Sequence, residues 1–180
     1  SLIRTGDIFN VEMCYSLIPR KYEPFDNEAY KRYPGKAFAV VTNIETGKPE
    51  YLRVKDGFAD LKKVRASASL PLVSRNVEIE GKLYLDGGIS DAIPIQKSIL
   101  DGNDRNIVIL TKEEGYVRQP SSQLGLIKVR YHKFPKVYEL MKNRHTAYNE
   151  TMEFLRKQQV NGQAFVIQPK NPSDVGRLEK

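Results

Sequence analysis

Apolar positions change their spacing several times along this chain, and each change marks an element. Lys36-Ala37-Phe38-Ala39-Val40-Val41-Thr42-Asn43 is nearly all apolar, as expected of a central strand buried on both faces. Thr46-Gly47-Lys48-Pro49 turns the chain, and Glu50–Val54 then alternates like a strand with one wet face. Asp60 is a cap for a helix running to Ala66. A hairpin follows, Asn76–Ile79 and Lys82–Leu85 around a turn at Glu80-Gly81. Pro94 opens a helix that stops near Asp101-Gly102, and Asn106–Thr111 reads as a second buried strand. From Phe134 to Gln159 the apolar residues Phe134, Val137, Tyr138, Met141, Tyr148, Met152 and Leu155 recur at helical spacing. Asn161-Gly162 ends that helix, and Gln163–Gln168 is a last strand. Strands alternating with helices predict an α/β fold, a mostly parallel sheet flanked by helices.

The first 35 residues are irregular. Asp7 and Asp26 are candidate helix caps, while Pro19, Pro24 and Pro34 interrupt any long element. Tyr15, Tyr22, Phe25, Tyr30 and Tyr33 crowd this stretch. They suit either the wall of an acyl-chain cleft or the cover of one core edge.

Composition narrows the class. The chain has 180 residues, 40% hydrophobic and 28% charged, ordinary for one globular domain. No apolar run reaches the length of a membrane span, and no signal peptide is visible. The single cysteine, Cys14, excludes an internal disulfide, suits a reducing cytoplasm and reads as a small buried hydrophobe. No cysteine/histidine cluster suggests a metal, and no cofactor is implied. The net charge of +7 favours anionic partners without choosing among them.

The candidate chemistry sits at Leu83-Tyr84-Leu85-Asp86-Gly87-Gly88. An apolar strand ends on an acid, and two glycines allow a sharp turn through positive φ. Such a turn either presents a catalytic carboxylate or simply ends a strand. In a parallel sheet with helices on both faces, ligands lie beyond the carboxyl ends of the strands, where Asp86 falls. Upstream, Ala66-Ser67-Ala68-Ser69-Leu70-Pro71 is a run of small residues, whose hydroxyls either touch a ligand or pack a helix end. Downstream, Ile89-Ser90-Asp91-Ala92-Ile93 leads to Pro94.

This ordered set, from about Val64 to Pro94, resembles the C-terminal half of the catalytic domain of patatin-like phospholipases. Their pattern is a small-residue stretch of the form A-S-x-S-x-P, a hairpin, D-G-G or D-G-A, and a short segment ending in proline. The strand Asn106–Thr111 and the long helix after it look like the bacterial members. The resemblance implies a three-layer α/β/α fold and a serine acyl hydrolase of lipid carboxylic esters working through a Ser-Asp dyad. Asp86 is then the acid, and Gly87 and Gly88 support its turn. In the family the serine lies on a Gly-x-Ser-x-Gly elbow beside a glycine-rich oxyanion loop, and neither motif occurs here. The expectation is therefore one partial catalytic domain over residues 1–180: an irregular entry (1–35), a sheet core with the Asp-Gly-Gly turn (36–112), and a basic segment, long helix and last strand (113–180). The nucleophile lies outside the chain, which alone is inactive.

A second reading rests on charge. No acidic residue lies between Glu114 and Glu139, while Arg118, Lys128, Arg130, Lys133 and Lys136 do, interleaved with Tyr116, Tyr131 and Phe134. This suits a non-catalytic module binding anionic membrane or a protein partner, or else a solvated face. No nucleic-acid motif accompanies the charge. His132 and His145 read as surface or packing residues. Localisation is expected to be cytoplasmic, with peripheral membrane contact compatible.

Overall fold

The computed structural model describes residues 10–171. The candidate cap Asp7 lies outside them. In sequence the elements are a wide-wound helix α1 (Met13–Tyr22), α2 (Asn27–Arg32), β1 (Ala37–Asn43), β2 (Pro49–Val54), α3 (Leu61–Ser67), β3 (Val77–Ile79), β4 (Lys82–Asp86), a 3-10 turn (Gly87–Ile89), α4 (Ile95–Leu100), β5 (Asn106–Ile109), α5 (Leu124–Arg130), α6 (Pro135–Val160) and β6 (Ala164–Ile167). They form two compact units. One takes the described residues up to Ala92 with Ser121–Lys142; the other takes Ile93–Pro120 with the described residues from Asn143 on.

The first unit holds a four-stranded sheet in the order β2-β1-β4-β3. Its pairings are all antiparallel: Val41 lies opposite both Glu50 of β2 and Asp86 of β4, and Val77 opposite Tyr84. Short turns explain the direction of the β1–β2 and β3–β4 pairs, because strands joined by a few residues can only fold back on each other. Glu80 and Gly81 make the β3–β4 turn with φ of 50° and 77°, the geometry that matches the right-handed twist of a hairpin.

Neighbouring side chains on β4 point to opposite faces of the sheet. Leu85 is fully buried with Ile44, Ile89, Ile127, Tyr131, Val137 and Met141. Tyr84 packs with Val41, Ala66 and Val77. Helix α3 therefore covers one face, and α5 with the first turns of α6 covers the other. This is an α/β/α layering. Each fully buried aliphatic side chain contributes about 2 kcal/mol through its removal from water.

The second unit pairs β5 and β6 in parallel, with Asn106 opposite Ala164 and Ile109 opposite Ile167. One face carries Val108, Ala164 and Val166 against a core of Ile93, Ile95, Leu110, Tyr148 and Leu155.

The α/β class holds, and the sheets are mixed in direction. Parallel pairing, expected for most of the sheet, occurs among the described residues only between β5 and β6. The strand expected to be buried on both faces around Asn106–Thr111 is covered on one only: Ile107 is 72% and Ile109 73% exposed. Cys14, expected inside, is exposed. Asp26 caps α2 as expected, accepting from Ala29 N at 2.8 Å. Asp60 does not cap α3; its carboxylate turns back to accept from Lys55 N and Asp56 N and to pair with Lys63.

Candidate active site

Four contacts fix the turn after β4. The Asp86 N–H donates to the carbonyl of Ser69 at 2.9 Å, so the small-residue stretch and the Asp-Gly-Gly turn meet through their backbones. Ser69 itself is buried, and its hydroxyl donates to Arg65 O at 2.7 Å, closing the end of α3. Of the two roles open to that hydroxyl, the structure shows the packing one.

On the other side, the fully buried Thr42 donates from Oγ1 to the Asp86 carbonyl at 2.8 Å. The Ser90 hydroxyl lies 2.8 Å from the same Oγ1. Thr42 has one proton, already directed at the carbonyl, so Ser90 is the donor in that contact. A directed chain results, from Ser90 O–H to Thr42 O–H to the Asp86 carbonyl. Such chains polarise one another and resist rotation of any member.

The Asp86 carboxylate takes up the third contact. Its Oδ1 accepts from Gly88 N at 2.6 Å, short as expected for an ionised acceptor. This bond orients the carboxylate at the strand end.

Gly87 makes the fourth. A Cβ placed there would lie 2.2 Å from the backbone oxygen of Val40. The sequence suggested that the two glycines serve positive φ. They instead form a right-handed 3-10 turn, and Gly87 is required for close approach to β1. Beyond the turn, Asp91 N donates to Gly87 O at 2.8 Å, and Tyr51 OH donates to Asp91 Oδ2 at 2.5 Å. These tie the exit of the turn to β2.

A second carboxylate stands in the same cross-strand row. Glu50 and Asp86 flank Val41 on opposite sides, about 10 Å apart across two strand spacings. Glu50 accepts from Asn43 Nδ2 at 2.8 Å and from Tyr84 OH at 2.7 Å. Burial pushes its pKa up, but those hydrogen bonds and the nearby Lys82 outweigh burial and hold it below the ordinary value. Burial and the contact with Glu50 push the Tyr84 phenol well above its usual range. Both directions describe one neutral-donor-to-carboxylate contact, which is structural.

The basic residues singled out by charge do not share one compact unit. Arg118 lies in the second, while Lys128, Arg130, Lys133 and Lys136 lie in the first. Arg118 sits over the Tyr148 ring at 4.3 Å, and its backbone exchanges hydrogen bonds with Asn149. Arg130 lies over Tyr131, and Lys136 pairs with Glu139 at 2.9 Å. His132 Nδ1 contacts the carbonyl of Val129, and His145 Nε2 contacts Thr146. The sequence reading missed Thr42, Ser90, Tyr51 and Asp91. The one available signal was Thr42, a lone hydroxyl at the end of an otherwise apolar strand.

Comparison with known proteins bears on the same turn. The model of the patatin-like phospholipase family matches residues 3–98, more than half of the chain, and this span contains β1 to β4 and the Asp86 turn. The chain belongs to that family. A three-layer α/β/α architecture goes with a patatin-like domain. A second model, described as a domain of unknown function (DUF6363), matches residues 134–180, beginning at the foot of α6. The chain is also 29% identical over 124 residues to the "Uncharacterized protein YjjU" of Escherichia coli (strain K12), covering 68% of this chain and 34% of that protein. The patatin-like chain thus spans about a third of the length of that relative. No helix among its described residues is long and apolar enough to cross a membrane.

Proposed function

We propose that this chain supplies the acid half of a Ser-Asp dyad in a patatin-like enzyme that hydrolyses carboxylic esters of lipids. Asp86 is the acid, Gly87 and Gly88 shape its turn, and the nucleophilic serine comes from residues outside this chain. The observation that carries the reading is the way Asp86 is held. Its N–H, its carbonyl and its carboxylate are each engaged, by Ser69, Thr42 and Gly88 in turn, and a carboxylate fixed so firmly is organised before any substrate arrives.

The chemistry follows from ordinary acyl transfer. Asp86 accepts a hydrogen bond from the serine hydroxyl and takes its proton as the serine oxygen attacks the ester carbonyl carbon. The tetrahedral intermediate collapses, the C–O bond to the alcohol breaks, and Asp86 returns the proton to the leaving oxygen. Water, deprotonated by the same carboxylate, then cleaves the acyl-serine and releases the fatty acid. No cofactor is required. The chain by itself lacks the nucleophile elbow and is inactive; the intact enzyme of this proposal is cytoplasmic, which is compatible with peripheral contact with a membrane.

The alternative, a non-catalytic module using the basic segment, has less support, because Arg118 and Lys136 are already engaged by Tyr148 and Glu139. The test is hydrolysis of a short-chain p-nitrophenyl ester by the intact protein. Asp86→Asn and Asp86→Ala are expected to remove turnover while thermal melting stays close to wild type. Unchanged turnover in both variants would remove the assignment.

A further inference from the structure

Away from the Asp86 turn, the first unit carries a cleft of about 180 Å³ with an unusual lining. Tyr30, Lys31, Tyr33, Arg53 and Lys55 form its walls, and no carboxylate residue is among those that line it. Three cationic residues lining one concavity make it electropositive unless carboxylates pair with them. Lys31 is compensated, since its ammonium lies 3.0 Å from Asp56 and 3.1 Å from Glu28, and these contacts raise its pKa. Arg53 and Lys55 are not. Neither makes an ion pair among the described residues.

The remaining groups are set rather than loose. Tyr30 is anchored by its hydroxyl, which donates to Val54 O at 2.9 Å. Arg53 and Val54 sit on β2 in register with Phe38 and Ala37 of β1. A Cβ at Gly35 would lie 2.2 Å from the Tyr33 ring, so glycine there is what lets that ring lie across the chain. A guanidinium fork and an ammonium on one rigid strand end, beside phenols, match the charge and oxygen geometry of a phosphate group.

We propose that this cleft binds a phosphate oxyanion, with Arg53 and Lys55 as its principal ligands. The placement gives the site a use. Ala37, at the cleft, lies four residues along β1 from Val41, the partner of Asp86, which is about 13 Å at the usual strand rise. A lipid phosphate held in the cleft would keep its molecule, or its neighbour in the same surface, against the rim where Asp86 sits. Binding itself does not depend on the hydrolase reading.

The experiment uses the intact protein and two probes: calorimetric titration with inorganic phosphate, and sedimentation with phosphatidylcholine vesicles with or without phosphatidic acid. The double variant Arg53→Ala/Lys55→Ala is expected to weaken binding tenfold or more. Arg53→Lys should retain part of the affinity, and Lys128→Ala/Arg130→Ala, on the basic segment, should bind as wild type. A loss seen only with vesicles assigns the lipid as source of the phosphate, and a loss seen only in the titration assigns a free oxyanion. Wild type that binds neither probe, or a double variant that binds both as wild type does, overturns the proposal. Asp86→Asn should leave both measurements unchanged, which separates failure here from failure of the dyad.

Discussion

The Asp86 turn and the Arg53–Lys55 cleft belong to the same four-stranded sheet and are built by opposite means. At the turn, polar groups are buried and satisfied: Thr42 and Ser69 are almost wholly inaccessible, and each has a partner. At the cleft, Arg53 and Lys55 are exposed and make no ion pair among the described residues. The first arrangement fixes one carboxylate in one orientation, at a cost that only full hydrogen bonding repays. The second holds charge ready for a partner and adds little to the fold. Substitutions of the groups that hold the turn, Gly87 and Thr42, should therefore cost stability together with activity, substitution of Asp86 itself activity alone, and substitutions at the cleft binding alone.

The sharpest way to break this contrast is at Gly87. Gly87→Ala forces a methyl to within 2.2 Å of the Val40 oxygen. The strand and the turn must separate, and a loss of about 3 kcal/mol by urea denaturation is expected, with loss of esterase activity in the intact protein. Melting at the wild-type temperature would show that the turn is not packed as described. Next is Thr42→Val, which keeps the shape and removes the hydroxyl. The Asp86 carbonyl and the Ser90 hydroxyl both lose their partner, and about 2 kcal/mol should go. Thr42→Ser restores the donor and should recover most of the activity and stability; equal damage from both variants would point to the methyl rather than the hydroxyl.

Glu50 offers a smaller effect with a definite pH signature. Its folded pKa lies below the ordinary 4.5, so its contribution is fully present above that value and is lost as pH falls through the folded pKa. Glu50→Gln should cost about 1 kcal/mol near neutrality. The difference between variant and wild type should shrink below pH 4.5; a constant difference would mean that packing, not charge, is responsible. Smallest of all is the cleft. Arg53→Ala/Lys55→Ala should change folding stability by no more than about 0.5 kcal/mol, and a larger loss would show that the two cations serve the fold.

Local chemistry is what the sequence made legible. The Glu80-Gly81 turn, the Asp26 cap, the end of α6 at Asn161-Gly162 and the position of Asp86 at a strand end all depend on residues a few places apart. Strand direction was not legible, because an apolar run such as Ala37–Val41 looks the same whether its neighbours run parallel or antiparallel. Nor was the exposure of Ile107 and Ile109, since β-branched residues suit a strand with one face covered as well as two. Thr42 meets Asp86 and Ser90 across 44 and 48 residues, and no spacing rule spans that distance. By sequence, the aromatic residues near the start suit an acyl-chain wall or a core cover. Tyr30 and Tyr33 line a cleft whose cationic residues come from α2 and from the end of β2 and the residue after it.

The central claim is that Asp86 activates a serine carried elsewhere in the intact protein. Labelling with a fluorophosphonate probe tests it most directly, because the probe bonds covalently to an activated serine oxygen. Wild type should be labelled on one serine outside this chain, and Asp86→Asn, equally folded by its melting curve, should lose that labelling. Asp86→Asn labelled as fast as wild type, or an intact wild-type protein that takes up no label, would contradict it.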